Sequence, residues 1–135
     1  MARMIFVNLP VKDLKRSMDF YSKLGYRFNP QFTDDTAACM VISDDIYTML
    51  VTKAKFKEFT SKAICDATKA TEAIISLTCD SRAQVDEMVR KAVAAGGKTY
   101  ADPKDHGFMY EHGYQDPDGH EWGLFYMEPS YMKSE

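Results

Sequence analysis

The same order of elements is written twice along this chain, and that repeat limits the possible folds more than any single residue does. In its first copy, Met4–Leu9 is a short β-rich run ended by Pro10. Asp13 follows as a helix N-cap, since its carboxylate can accept from the free backbone N–H groups of a first turn. Leu14, Met18, Tyr21 and Leu24 make an apolar stripe of helical period, and Gly25 stands where a left-handed residue stops a helix. Tyr26–Phe32, Ala37–Ile42 and Ile46–Thr52 read as three strands, parted by polar turns at Thr33-Asp34-Asp35 and Ser43-Asp44-Asp45. In the second copy, Glu72–Cys79 is the opening strand and Ser81 with Gln84 forms a capping box. Val85, Met88, Val89, Ala92 and Val93 are the stripe, Gly96-Gly97 the stop, and Lys98–Ala101, Phe108–Gln115 and His120–Met127 the closing strands.

Two βαβββ modules are therefore expected, module one over about 4–52 and module two over about 71–128. A Lys-rich connector at 53–70 joins them, with one helical turn or two around Phe56 and Phe59. A sheet whose one face is covered by its helix must place the other face somewhere. Four strands cannot close a barrel. The predicted class is thus α+β, two βαβββ modules forming a cup-shaped incomplete barrel within one domain, 1–135. A ferredoxin-like sandwich with a solvent-washed sheet is the competing arrangement. At 45% hydrophobic and 27% charged residues the chain can bury a core of ordinary size.

Charge and cysteine usage exclude several roles. A formal net charge of −3, with Lys and Arg scattered among acids, gives no footprint for nucleic acid or an anionic membrane. Cys39, Cys65 and Cys79 are isolated, without CxxC or CxxH spacing, which points to reduced thiols rather than a disulfide framework or zinc cluster. MARMIFVNLP lacks a signal-peptide core, and no apolar run approaches a membrane span. The expectation is a soluble cytoplasmic protein. No G-x-S-x-G elbow or Gly-rich phosphate loop occurs, so nucleophilic and phosphate chemistry find no motif.

The stretch Gln115–Tyr126 holds the main functional clue. Asp116-Pro117-Asp118-Gly119 is a tight turn that opens directly into an alternating strand. Trp122, Leu124 and Tyr126 point one way, and Glu121, Gly123 and Phe125 the other. The same parity on the first strand sets Ile5, Val7 and Leu9 against Phe6 and Asn8. In the second module it sets Ile75, Leu77 and Cys79 against Ile74, Ser76 and Thr78.

V-x-D-L-x-x-S-x-x-F-Y-x-x-L-G over Val11–Gly25, followed by D-P-D-G before the last strand, resembles the vicinal oxygen chelate superfamily. That group includes glyoxalase I, extradiol dioxygenases, and fosfomycin and bleomycin resistance proteins. NPQF, CMVIS and ICDATK look most like its predicted lactoylglutathione lyase branch. The resemblance implies divalent-metal ligands on the first and fourth strands of each module. Alignment places Phe6, one of Thr48, Met49 or Leu50, Ile74 and Gly123 at those positions. None supplies an imidazole or carboxylate to a hard or borderline cation, so no metal and no other cofactor is expected.

The lining expected of the cavity is Phe6, Asn8, Leu50, Ile74, Ser76, Glu121 and Phe125, apolar and small polar groups with one carboxylate. Glu121 is the candidate base, its acidity weakened if it stands alone among apolar groups. His112 is the candidate partner on the neighbouring strand, while His106 and His120 lie in or beside turns. The expected function is small-molecule binding of the glyoxalase/bleomycin-resistance type, with a small organic ligand and a homodimeric assembly. The alternative is a lyase or dioxygenase-like enzyme that uses a relocated divalent metal site or Glu121 as base.

Overall fold

The computed structural model describes residues 3–131, and within it the chain divides into two compact units that meet at Asp66 and Ala67. The division falls inside the expected connector. Each unit is a four-stranded mixed sheet carrying one long helix, the βαβββ module anticipated from the repeat.

In the first unit, β1 (Ile5–Val11) leads into α1 (Leu14–Lys23). Asp13 Oδ1 accepts from the Arg16 backbone N–H at 3.1 Å, which satisfies a donor that the first turn leaves free. Gly25, at φ +104°, ends the helix. The buried stripe is Ser17, Phe20, Tyr21 and Leu24, while Leu14 and Met18 are only half-buried. The helix thus keeps Tyr21 and Leu24 of the expected face and buries Ser17 and Phe20 in place of Leu14 and Met18. Phe20 and Tyr21 meet edge to face at 4.9 Å, and each such ring contributes on the order of 2 kcal/mol when withdrawn from water.

The chain continues through β2 (Arg27–Asn29), β3 (Ala37–Val41) and β4 (Ile46–Thr52). The strand expected over Tyr26–Phe32 is cut short. Pro30 has no N–H for a ladder, and the Asn29 side chain accepts from Gln31 N at 2.9 Å to start a 3-10 turn at Pro30–Phe32. At the next turn Asp34 Oδ1 accepts from Thr36 N, Thr36 Oγ1 and Ala37 N. Those bonds, the Thr36 backbone bond foremost, hold the carboxyl below its ordinary range. The sheet order is β1-β4-β3-β2, with β1 and β4 parallel. A single turn, α2 (Lys53–Phe56), opens the connector, and Phe56 meets Phe59 at 6.3 Å.

In the second unit, β5 (Ile74–Thr78) is followed by α3 (Arg82–Ala94). Ser81 Oγ accepts from Gln84 N at 3.0 Å, and Gln84 reaches back to the Asp80 backbone N–H, one residue earlier than a capping box would have it. Val85, Val89 and Ala92 are buried, whereas Val93 is 48% exposed and off the stripe. Then come β6 (Lys104–Asp105), β7 (Met109–Gln115) and β8 (Glu121–Met127), in the order β5-β8-β7-β6 with β5 and β8 parallel. The strand expected at Lys98–Ala101 reduces to one bridge, Lys98 with Gln115. Pairing resumes at Lys104 with Glu111, so the outer strand runs two residues longer than β7 between these points and bulges outward around Tyr100. Pro103, unable to donate to a ladder, lies within that excursion.

The DPDG turn is built on Asp116, which is 4% exposed. Its Oδ1 accepts from Asp118 N and His120 N, each at 2.9 Å, and its carbonyl accepts from Gly119 N at 2.9 Å. No helix among the described residues is long and apolar enough to cross a membrane.

Candidate functional site

Register fixes which side chains share a face. In the second sheet Tyr110 donates its hydroxyl to Asp86 of α3 at 2.6 Å, so the face carrying Tyr110, His112 and Tyr114 is the helix side. Trp122 and Leu124 lie there too, with Trp122 fully buried and stacked on Tyr114 at 6.4 Å. On the opposite face the side chains form rows across the strands. Ile74, Glu121 and Gln115 make one row, Ser76, Gly123 and Gly113 the next, and Thr78, Phe125, Glu111 and Lys104 the third.

The middle row leaves backbone almost bare between two rows of larger groups. A Cβ on Gly123 would lie 2.8 Å from Ser76 Oγ, and one on Gly113 would run into the Tyr100 phenol. The bulge before β6 folds Tyr100 across Gly113, where its hydroxyl donates to the Trp122 carbonyl at 3.3 Å. Burial first, and then the Glu121 and Glu111 carboxylates, push this phenol above its ordinary pKa. Two cavities adjoin here and share Glu111 and Gly123. One, of about 180 Å³, is walled by Ser76, Met109 and Phe125; the other, of about 130 Å³, by Tyr100, Lys104 and Gly113.

Of the residues singled out from sequence, this face brings together Ile74, Ser76, Glu121 and Phe125. Ile74, at the edge, is 56% exposed. Glu121 does not stand alone among apolar groups: its Oε2 accepts from Thr71 Oγ1 at 3.1 Å and from Gln115 Nε2 at 3.5 Å. Both donors are neutral, and among the described residues Glu121 forms no ion pair. His112 borders the smaller cavity but lies at the opposite strand parity from Glu121. Opposite Leu124 in the register, His112 points to the helix side, with Nε2 3.1 Å from the Ala101 carbonyl, so that nitrogen carries the proton. The acid–base pair expected of Glu121 and His112 is therefore not assembled, because the two residues lie at opposite parity. His106 instead pairs with Glu111 at 2.8 Å, and His120, 2% exposed, sets Nδ1 3.3 Å from Glu72.

In the first unit, Phe6, Asn8, Tyr47 and Met49 share a face, and Phe6 stacks on Tyr47 at 4.7 Å. Leu50 is turned away from them. It pairs with Leu9 on the helix side and is fully buried, so it belongs to the core, and Met49 holds the position on the other face. The four positions at which the resemblance implies metal ligands are occupied by Phe6, Met49, Ile74 and Gly123, and a divalent ion does not fit that donor set. Among the described residues no three His, Cys, Asp or Glu side chains gather where they could hold a metal.

Sequence reasoning did not reach Tyr100, Met109, Glu111 or Gly113. The available signal was the pair of glycines within two strand patterns, which marks close approach of another group to the backbone. Tyr100 stayed hidden because its placement depends on the bulge, a long-range consequence of β6 pairing.

Residues 3–43 match the family described as bleomycin resistance protein-like N-terminal. Among solved structures, a hypothetical protein from S. aureus is 26% identical, with 93% of this chain and 94% of that one covered at a TM-score of 0.79. A glyoxalase/bleomycin resistance protein/dioxygenase family enzyme from Burkholderia phytofirmans is 15% identical over 93% of this chain and 99% of its own, with a TM-score of 0.76. The fosfomycin resistance protein FosX from Mesorhizobium loti is 15% identical over 97% and 94%, with a TM-score of 0.66. No curated protein matches the chain. The family match is confined to N-terminal residues 3–43, and the solved structures show that the fold is shared along nearly the whole chain.

Proposed function

We propose that this chain is a metal-independent small-molecule binding protein of the glyoxalase/bleomycin-resistance type. The observation that carries the reading is the face of the C-terminal sheet opposite α3. There two cavities meet at the side-chain-free position Gly123, beside Gly113, which Tyr100 covers, and are walled by Ser76, Phe125 and Glu111. A concave apolar surface with a few placed polar groups is the usual form of a ligand site. The replacement of metal-ligand types by Phe6, Met49, Ile74 and Gly123 supports metal independence through donor chemistry.

Catalysis is the second reading, and one observation favours it. Thr71 and Gln115 both reach Oε2 of Glu121, while among the described residues Oε1 receives no hydrogen bond. That leaves one oxygen able to accept a proton from a bound molecule. The lactoylglutathione lyase branch would fall under this reading.

A homodimer in the cytoplasm is the assembly we propose. β1 is the last strand on one side of its sheet, with Ile5 and Phe6 exposed at its start. Sedimentation equilibrium should report twice the chain mass. A thermal-shift screen of a broad compound library tests the function, because a molecule selective for the folded state raises its stability. Hits that shift the wild-type midpoint but not that of Gly123→Val, whose branched side chain fills the trough, are the expected result. A library without a single hit would end the binding reading.

A further inference from the structure

Tyr100 occupies the place where a ligand ring would go. The hydroxyl end of its phenol closes over a strand position that has no side chain, Gly113, and the hydroxyl donates to a main-chain carbonyl, Trp122 O, at 3.3 Å. The segment that delivers it is the two-residue excursion between the Lys98 bridge and β6, and nothing in a sheet ladder holds it there. The hydroxyl bond is long, and the residue remains 38% exposed.

The sizes of the cavities point the same way. At about 180 and 130 Å³, each is smaller than the roughly 300–1,000 Å³ of a small-molecule cleft. Joined across their shared Gly123 and Glu111, and enlarged by the volume of the phenol, they enter that range. The local charge then selects among rings. Glu121 and Glu111 both act on the Tyr100 hydroxyl position, and both disfavour negative charge there. His106 offsets Glu111 through a 2.8 Å contact, whereas Glu121 has only neutral donors. Lys104 and Asp102 also line the smaller cavity and burial there opposes any charge, so what the two carboxylates favour is a positively charged N–H donor over an anion of the same shape.

We propose that Tyr100 is a displaceable occupant of the ligand slot, and that the slot takes a flat aromatic ring bearing a cationic N–H donor, with Tyr100 setting both affinity and selectivity. The inference rests on the small-molecule reading of this face and adds the ligand class and the residue that gates it. A ligand must first expel the resident ring, so its apparent affinity is lowered by the fraction of molecules in which Tyr100 is out.

The test uses the full chain with three probes of one shape and different charge, benzamidine, phenol and benzoate, titrated by calorimetry near neutral pH. Tyr100→Ala should bind benzamidine about tenfold more tightly than wild type, because no ring has to leave. Tyr100→Phe, which keeps the ring and loses the hydroxyl anchor, should fall between the two. The preference for benzamidine over benzoate should flatten in Glu121→Gln. Benzoate binding as well as benzamidine, or Tyr100→Ala and Tyr100→Phe both gaining nothing, would overturn the proposal. If library compounds bind at the Gly123 trough with affinities indifferent to Tyr100, this inference falls and the small-molecule reading survives. If no compound binds any of these proteins, both fall.

Discussion

Thr48 is an instructive residue because its position and its chemistry disagree. It pairs with Val7 and Met40 on the helix side of the first sheet and is fully buried, yet among the described residues its hydroxyl has no hydrogen-bond partner. A buried hydroxyl without a partner costs on the order of 1–3 kcal/mol, and valine has nearly the same shape without that cost. Thr48→Val should therefore stabilise the chain by about 1 kcal/mol, seen as a higher urea midpoint at unchanged slope. Loss of stability would mean that the hydroxyl is satisfied by water. Gly119 behaves in the opposite sense. It holds φ +88°, and a Cβ there would lie 2.6 Å from the Ala67 carbonyl oxygen, so backbone conformation and space both demand glycine. Gly96 has a similar φ, +111°, but open space around it. Gly119→Ala should cost roughly 2 kcal/mol more than Gly96→Ala in the same denaturation experiment. Equal costs would show that the connector beside Gly119 gives way. The glycine of the turn could be read from sequence, because turn chemistry is local. Its second constraint could not, since Ala67 reaches it only in the folded chain.

At the scale of elements, α3 is fastened to its sheet by polar as well as apolar contacts. Arg82, in the first turn of α3, donates to Glu128 beyond β8 at 2.6 Å and to the Gly107 carbonyl of the β6–β7 turn at 2.9 Å, and lies over the Tyr126 ring. Tyr110 of β7 donates to Asp86, and that hydrogen bond is the main reason its pKa is pushed up to about 12. The sign follows from linkage. A phenol with a raised folded-state pKa lends stability that is fully present below its unfolded value of 10.0 and disappears as pH rises through about 12. A tyrosinate absorbance titration should therefore show a component near pH 12 that is missing in Tyr110→Phe and shifted to lower pH in Asp86→Ala. A Tyr110 component unmoved by Asp86→Ala would sink this account. Elements of this kind were legible where their signals are local: Asp13 and Ser81 cap, Gly25 and Gly96 stop, and strand alternation separates Trp122 from Glu121. The errors arose where a partner decides. The buried face of α1 departs from the apolar stripe because Ser17, small and polar, is fully buried while Met18 is only half-buried. Leu50 could be assigned to a face only once its pairing with Leu9 was known, and His112 only through its pairing with Leu124.

For the whole molecule, the motif that carries the family resemblance and the residues that build the core are largely the same set. Val11, Ser17, Phe20, Tyr21 and Leu24 of V-x-D-L-x-x-S-x-x-F-Y-x-x-L-G are all buried. The resemblance therefore speaks for the fold, and the ligand-bearing positions are free to differ. Here they do, with Phe6, Met49, Ile74 and Gly123 where a cation would need nitrogen or oxygen donors. If a divalent ion were nevertheless held by the native chain, its removal would lower stability by the free energy of that site, which amounts to about 4 kcal/mol at a thousandfold excess over Kd. Dialysis against EDTA is expected to leave the thermal midpoint unchanged, and elemental analysis of the purified chain should find no stoichiometric zinc, nickel, iron or manganese. A midpoint that drops on chelation and recovers with one of those ions would show that donors other than the aligned four converge, and would move the catalytic reading ahead of the binding one.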